Sequence, residues 1–296
     1  MKTVNRQTEL KVKHDAELQS YIMEATGKSR TAVKSLFAHN QIFIDGKIVS
    51  QYNFKVRKNQ IITINSTGTV SDKTGNRLNN IEIVFEDNDI IVIEKPSGML
   101  SVSTENGNAT TACGILRNYV RMKSSLNRIF IVHRLDKATS GLMLFAKNEQ
   151  AKRIMQANWD NLIKHRKYVA VVCGRLKTEE GTLVSYLREN AAMQMYASKS
   201  AEDAQRAVLS YRVLKANNSF SLVEVELETG RKNQIRVQMQ EIGHSIAGDK
   251  KYGGKSSLIG RLALHAQTLE FIHPVTREKM RFSTKIPRKF MIVFNA

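Results

Sequence analysis

The stretch from residue 131 to 147, IVHRLDKATSGLMLFAK, decides how the larger part of this chain folds. Apolar runs at both ends predict two strands, and the polar segment between them, residues 133–141, predicts the connecting loop. Because the flanking strands are rigid, such a loop can hold a functional group in place and still expose it to a ligand. On pattern alone Asp136 fits equally well in an ordinary charged hairpin loop.

Two more segments concentrate polar side chains at the ends of predicted elements. In residues 227–254, LETGRKNQIRVQMQEIGHSIAGDKKYGG, a strand ends at Thr229-Gly230 and a helix follows, with Arg231 at the junction. In residues 167–174, KYVAVVCG, Tyr168 opens an apolar strand. Considered separately, Arg231 also fits a phosphate contact or a helix-end ion pair, and Tyr168 fits a core or rim aromatic.

The pattern beyond residue 80 predicts many strands and few helices. An alternating run at 81–85 and the buried run IIVI at 90–93 come first. Further strands are predicted at 129–133, 141–146, 167–173, 205–214, 219–228, 268–272 and 279–284, and helices at 110–122, 149–160 and 232–242. This composition predicts an α+β fold: a large, mostly antiparallel mixed sheet with flanking helices, preceded by a small α/β domain.

The first 64 residues predict that small domain. A helix is expected at 14–26, a second helix begins near Ser29, and QIFI and KIVS flank the turn Asp45-Gly46 as a hairpin. Residues 65–80 are rich in Asn, Ser, Thr and Gly without apolar periodicity, which predicts a linker. The domains are therefore expected at 1–64 and 81–296.

The composition indicates a polyanionic partner. Lys and Arg number 46 against 27 acidic residues, a net charge of +19, and such an imbalance is typical of proteins that bind nucleic acid. The sequence shows no basic amphipathic helix of the kind that binds a membrane surface. The two cysteines form no CxxC pair, and the histidines are not spaced as metal ligands, so no metal is expected. Since the amino-terminal residues also lack the apolar run of a secretory signal, a cytoplasmic protein is expected.

Taken together, these segments resemble the RluA-type family of RNA pseudouridine synthases. The motifs are, in order, KPSG at 95–98, HRLDKATSG at 133–141, KYVAVVCG at 167–174, TGRKNQIR at 229–236, IGHSIAGDKKYG at 242–253 and RLALHA at 261–266. The residues at 14–64 are similar to the αL-type RNA-binding domain of ribosomal proteins, and this match is less specific because Lys58-Asn59 stands where that family usually has Gly-Asp.

The resemblance implies a reaction and roles for three residues. Asp136 would be the nucleophile that adds to the base or to the sugar, with a glycal-type route also open; Arg231 would keep it charged; Tyr168 would stack on the extracted base. Because no group enters or leaves in the isomerisation, no cofactor is expected. Arg134 would fill the gap left in the RNA, and phosphate contacts are expected from a set of lysines and one arginine: Lys95, Lys137, Lys28, Arg30 and Lys34.

Two positions depart from the family pattern. Asn233 stands where histidine is usual and Ser245 where proline is usual, which bears on target choice and loop geometry. The RNA target is expected to be large-subunit ribosomal RNA, because relatives with an amino-terminal domain often act there. Transfer RNA remains an alternative, as does a ribosome-assembly protein that has lost catalysis. A monomer without an obligate protein partner is expected.

Overall fold

The computed structural model describes residues 7–38, 41–49, 51–65, 77–78, 80–103, 110–254 and 259–295. The chain divides into two compact units, Met1–Gly75 with Phe85–Asp87, and Asn76–Val84 with Asn88–Ala296. Most of the predicted linker lies outside the described residues. Its last part contains a short strand, Arg77–Leu78, which the polar composition of the segment did not predict.

The described residues of the amino-terminal unit form two helices and six short strands. They are β1 (Gln7–Lys11), β2 (Ala16–Glu17), α1 (Leu18–Thr26), α2 (Arg30–Ala38), β3 (Ile42–Ile44), β4 (Lys47–Ile48), β5 (Lys55–Val56) and β6 (Ile61–Asn65). The predicted hairpin is present: β3 pairs with β4 around Asp45 and Gly46, which both have positive φ. One face of each helix is buried against Ile42, Ile62 and their neighbours, which gives the unit its own core.

The large unit is built on one sheet. Its strands are β7 (Arg77–Leu78), β8 (Ile81–Glu86), β9 (Ile90–Lys95), β10 (Phe130–Ile131), β11 (Ser140–Ala146), β12 (Ile163–Cys173), β13 (Glu180–Glu189), β14 (Met195–Ser198), β15 (Gln205–Ala216), β16 (Phe220–Leu227), β17 (Leu264–Ile272) and β18 (Lys279–Ser283). Its helices are α3 (Ala112–Lys123), α4 (Glu149–Ala157), α5 (Trp159–Leu162), α6 (Gln234–Glu241) and α7 (Arg288–Met291), followed by a 3₁₀ turn, Ile292–Phe294. None of the described helices combines the length and hydropathy needed to cross a membrane.

Among the described residues the sheet has twelve strands, in the order β14-β13-β15-β16-β12-β17-β11-β9-β8-β7, with β10 beside β11 and β18 beside β17. β11 and β17 run parallel, whereas the pairs from β14 to β12, β12 with β17, β11 with β9 and β10, β18 with β17 and β7 with β8 run antiparallel. The predicted α+β class with a mostly antiparallel mixed sheet is therefore confirmed. The strands β13 and β14 were not predicted. The inward positions of β13 include Gly181, which has no side chain, and the polar Ser185, and both weaken the apolar alternation.

One close approach brings two of the sequence motifs together. Ser140 and Gly141 at the start of β11 pair with His265 and Ala266 of β17. Gly141 has φ of 116°, and a Cβ there would lie 2.2 Å from the carbonyl oxygen of Ala266. Only glycine fits, since both the backbone angle and the space exclude a side chain. This contact fixes where the loop preceding β11 leaves the sheet.

Candidate active site

Asp136 lies in the loop between β10 and β11, and the segment after β9 supports that loop. The hydroxyl of Ser101 donates to the carbonyl of Leu135 at 2.6 Å and accepts from its amide at 3.2 Å. Ser97 donates to the carbonyl of Ala138 at 2.6 Å. Because buried side-chain hydrogen bonds hold the backbone on both sides of Asp136, the carboxylate is carried on a rigid loop.

Lys95 belongs to this support. Its side chain is fully buried, and its ammonium donates to the carbonyls of Pro96 at 3.0 Å, Met99 at 2.8 Å and Lys137 at 3.4 Å. Burial lowers the pKa of Lys95 to about 8, against the attraction of Asp136, which raises it. The predicted phosphate contact of Lys95 is therefore wrong: at the end of β9 its side chain continues the inward row of Ile91 and Ile93.

His133 closes the other end of the loop. Its Nε2 accepts from the backbone amide of Leu144 at 2.9 Å, and its ring lies 5.1 Å from that of Trp159. Burial, with a contribution from the nearby Arg166, lowers the pKa of His133 to about 3. The folded protein therefore keeps a neutral imidazole that can accept this hydrogen bond.

The lowered pKa of His133 predicts a loss of stability in mild acid. In the unfolded chain the histidine takes up a proton near pH 6.5, and in the folded chain only near pH 3, so the free energy of unfolding falls as pH drops through this window. Between pH 6.5 and 4.5 the fall due to His133 should be about 2 kcal/mol. Urea unfolding of wild type and His133→Gln at several pH values measures this fall. The free energy of unfolding should decrease less steeply with falling pH in the variant, and an equal decrease in the two proteins would contradict the assignment.

The cation that pairs with Asp136 is Arg236. Its Nη1 lies 3.3 Å from Oδ2 of Asp136, and its Nε and Nη2 hold both oxygens of Asp249 at 2.7 and 2.8 Å. Burial alone would lower the pKa of Arg236, but the hydrogen bonds and charge of Asp249, with those of Asp136, raise it overall. A permanently charged group thus faces the carboxylate.

The predicted pairing of Arg231 with Asp136 is corrected by this geometry. Arg231 is exposed, and its Nε donates to the backbone carbonyl of Arg206 at 3.1 Å. Arg236 rather than Arg231 faces Asp136 because of the position at which α6 begins. Arg231 precedes α6 and follows the end of β16, whereas Arg236 lies in the first turn of α6 and is directed towards the loop. Arg231 still borders the cavity next to Asp136.

Tyr168 lies in the middle of β12, directly before its buried residues 169–172, and borders the same cavity. Burial raises the pKa of its phenol to about 12, with Arg166 lowering it and Asp136 raising it. The hydroxyl is therefore protonated at neutral pH and can donate a hydrogen bond. The ring packs against two apolar clusters of the large unit, one around Val169 and Val225 and one around Ile93 and Met143, so it forms a fixed wall of the cavity.

The cavity between Asp136, Tyr168 and Arg236 is small. Its volume is about 70 Å³. Arg134 and Arg231 border the cavity and are exposed, whereas Arg236 is held by Asp249.

The other predicted RNA contacts lie at the surface. Lys137 is exposed in the loop that follows Asp136, and Lys28, Arg30 and Lys34 are exposed before and along α2 in the amino-terminal unit. Their exposure is compatible with phosphate binding, because a surface cation can contact a backbone without a dedicated pocket. Their roles, and the likeness of this unit to αL-type domains, stay predictions.

The chain is similar to known proteins in sequence and in fold. Residues 89–241 match the family model described as RNA pseudouridylate synthase. An uncharacterized RNA pseudouridine synthase of Bacillus subtilis, YhcT, is 32% identical over 88% of this chain and 86% of its own length. Ribosomal large subunit pseudouridine synthase D of Zymomonas mobilis is 34% identical over 72% of each chain. The solved structure of human RNA pseudouridylate synthase domain containing 4 superposes with a TM-score of 0.58 and 25% identity, covering 71% of this chain and 90% of that one.

The half of the chain matched by the family model contains Asp136, Tyr168, Arg231 and Arg236, and the matched relatives extend over most of the remainder. The family predicted from the sequence motifs is thereby confirmed, and with it the class of reaction, an isomerisation. This chain belongs to the RNA pseudouridine synthase family.

Proposed function

We propose that the protein converts specific uridines of large-subunit ribosomal RNA to pseudouridine, with Asp136 as the nucleophile. The observation that carries the proposal is the position of the Asp136 carboxylate, 3.3 Å from the guanidinium of Arg236 and beside the protonated Tyr168 in one cavity. The guanidinium of Arg236 thus places a fixed positive charge beside the carboxylate proposed to attack.

The chemistry needs only what these residues offer. The bond between N1 of the base and C1′ of the ribose breaks, the base turns, and a bond from C5 to C1′ forms. The hydrogen on C5 leaves as a proton and N1 gains one, so the atoms balance without another reactant. Asp136 adds to the ring or to the sugar during this exchange, and Tyr168 stacks on the base while it is detached.

The target uridine must first leave its neighbours in the RNA, at a cost of a few kcal/mol. Arg134, exposed at the edge of the cavity, would occupy the gap left behind. Lys137, exposed three residues further along the loop, would hold a phosphate, and the net charge of +19 supplies the long-range attraction for a polyanion.

Two arguments support ribosomal RNA as the target. The Zymomonas mobilis relative is named a large ribosomal subunit enzyme, and this chain has a basic amino-terminal unit that resembles an RNA-binding domain of ribosomal proteins. Transfer RNA is the competing target, since the catalytic arrangement is indifferent to the RNA that supplies the uridine.

Pseudouridine mapping of total RNA, with and without the gene, tests the proposal. We expect deletion to remove one or a few pseudouridines from large-subunit ribosomal RNA and from no other RNA, and the wild-type gene to restore them. Loss confined to transfer RNA would overturn the target. Loss at no site would overturn the catalytic function and favour a ribosome-assembly protein.

A further inference from the structure

Arg236 is held by more than the buried carboxylate of Asp249. Its Nη1 carries two N–H groups: one is directed at Asp136, and the other donates to the side-chain oxygen of Asn233 at 3.0 Å. The guanidinium also lies over the ring of Tyr252, with Cζ 4.8 Å from the ring centroid. Four neighbours thus determine the orientation of one planar group.

Asn233 is itself fixed by two features. Its backbone is left-handed, with φ of 55° and ψ of 19° just before α6 begins, a conformation that asparagine tolerates better than most residues. Its side-chain NH₂ donates to the hydroxyl of Tyr252 at 3.0 Å. Because an amide has one oxygen and one nitrogen, this bond turns the oxygen of Asn233 towards Arg236.

The second position that departs from the family pattern meets the same tyrosine. The hydroxyl of Ser245 donates to the backbone carbonyl of Tyr252 at 2.7 Å, and the side chain of Tyr252 is almost completely buried. Asn233 and Ser245 are 12 positions apart in sequence, yet both hold Tyr252. The two departures therefore belong to one hydrogen-bonded network behind Arg236.

The network determines the direction in which the N–H groups of Arg236 Nη1 point. Asp249 fixes the plane of the guanidinium through Nε and Nη2, but it does not contact Nη1. Asn233 takes the N–H of Nη1 that points away from Asp136, which leaves the remaining N–H directed at the carboxylate. Without that acceptor, small rotations of the guanidinium in its pocket would lengthen a contact that already measures 3.3 Å.

We propose that Asn233 and Tyr252 are positioning residues that aim the guanidinium of Arg236 at Asp136. They act through Arg236, since the polar atoms of the Asn233 side chain are both engaged in the network. The inference rests on the proposed nucleophilic role of Asp136, and it adds a reason why asparagine and serine fit this chain where histidine and proline are usual.

The test uses the full chain and RNA labelled with tritium at C5 of uridine, taken from cells that lack the gene; conversion releases the tritium. Asn233→Gly removes the side chain and tolerates the left-handed backbone. We expect its kcat to fall about tenfold, as for loss of a hydrogen bond to a charged group, with KM for RNA changed less than about twofold. Asn233→Asp, which keeps an oxygen acceptor, should recover most of that loss.

Tyr252→Phe keeps the ring under the guanidinium and removes only the hydroxyl, and we expect kcat to fall about threefold. The double variant Asn233→Gly, Tyr252→Phe should be no slower than Asn233→Gly alone, because the hydroxyl acts only through Asn233. Asn80→Gly is the matched control: Asn80 is exposed and has a positive φ of 70°, but it lies away from Arg236, so kcat should be unchanged.

Three results would overturn the inference: a kcat of Asn233→Gly equal to that of the control, losses that multiply in the double variant, or equal losses for Asn233→Asp and Asn233→Gly. Thermal unfolding of each variant identifies losses of kcat that come from misfolding. If Asn233→Gly is unfolded, Tyr252→Phe, which keeps the buried volume, provides the test instead. Asp136→Asn in the same assay distinguishes a failure of the proposed nucleophile from a failure of the positioning role. If it converts uridine, the proposed nucleophile is wrong; if it is inactive while Asn233→Gly is fully active, only the positioning role is lost.

Discussion

Replacing Arg236 with alanine should lower kcat by at least about a thousandfold and the free energy of unfolding by about 3 kcal/mol. The side chain of Arg236 is 11% exposed, and it is the ion-pair partner of both Asp136 and the fully buried Asp249. Its removal leaves the buried carboxylate of Asp249 without its ion-pair partner among the described residues, and it takes away the guanidinium that faces Asp136. Urea unfolding and tritium release measure the two losses separately.

Arg231→Ala is the matched control for this prediction. Arg231 is exposed, and within the part of the chain that the structure describes its side chain makes one hydrogen bond, to the carbonyl of Arg206. Its loss should therefore change the free energy of unfolding by less than about 0.5 kcal/mol. The loss of kcat should be smaller than for Arg236→Ala. If Arg231→Ala were the slower enzyme, the structural pairing of Asp136 with Arg236 would not be the catalytic one.

Arg236→Lys separates charge from geometry. Lysine keeps the positive charge, but its single ammonium cannot bind both oxygens of Asp249 and also reach Asp136. We expect the variant to be more stable than Arg236→Ala and still about a hundredfold slower than wild type. Wild-type kcat in Arg236→Lys would mean that a cation in this region suffices and that its orientation has no effect.

The sequence predicted the position of Asp136 well because the signal was local. Two apolar strands around a short polar segment leave few alternatives for the backbone, and the observed strands β10 and β11 lie at the predicted positions. The hairpin at Asp45-Gly46 was predicted for a similar reason, since two adjacent residues suited to positive φ specify a tight turn. Both features depend on neighbours in sequence.

The partner of Asp136 was not predicted because it depends on which side of a helix faces the loop. The helix was expected from residue 232 but begins at Gln234, after a left-handed Asn233. A signal for Arg236 was nevertheless present. In a helix whose other residues from 234 to 239 are buried, an arginine needs an internal partner, and the segment 227–254 that contains this helix also contains Asp249.

Lys95 was misplaced for a related reason. Its charge suggested a phosphate contact, whereas its position in the strand, two residues after the buried Ile93, indicated an inward side chain. The three carbonyls that surround its ammonium come from Pro96, Met99 and Lys137, and no local pattern predicts that they converge. Long-range convergence of this kind is what the structure adds to the sequence.

Asp136→Asn is expected to have the largest effect on activity. Asparagine has nearly the shape of aspartate and can still accept a hydrogen bond from Arg236, but its neutral amide is not a nucleophile for the base or the sugar. The side chain of Asp136 is 31% exposed, so the fold should tolerate the change. We expect kcat to fall by at least about ten-thousandfold, in the range seen when a nucleophile is removed, while the affinity for RNA changes less than about threefold.

The most direct measurement is a single-turnover experiment with Asp136→Asn in excess over RNA labelled with tritium at C5 of uridine. Excess protein removes any limitation from binding or product release, so the release of tritium reports the isomerisation alone. If Asp136 is the nucleophile, no release above that from RNA incubated without protein is expected, over a time in which wild type converts all of its sites. Release that continues to completion, at any rate above this background, would contradict the role of Asp136.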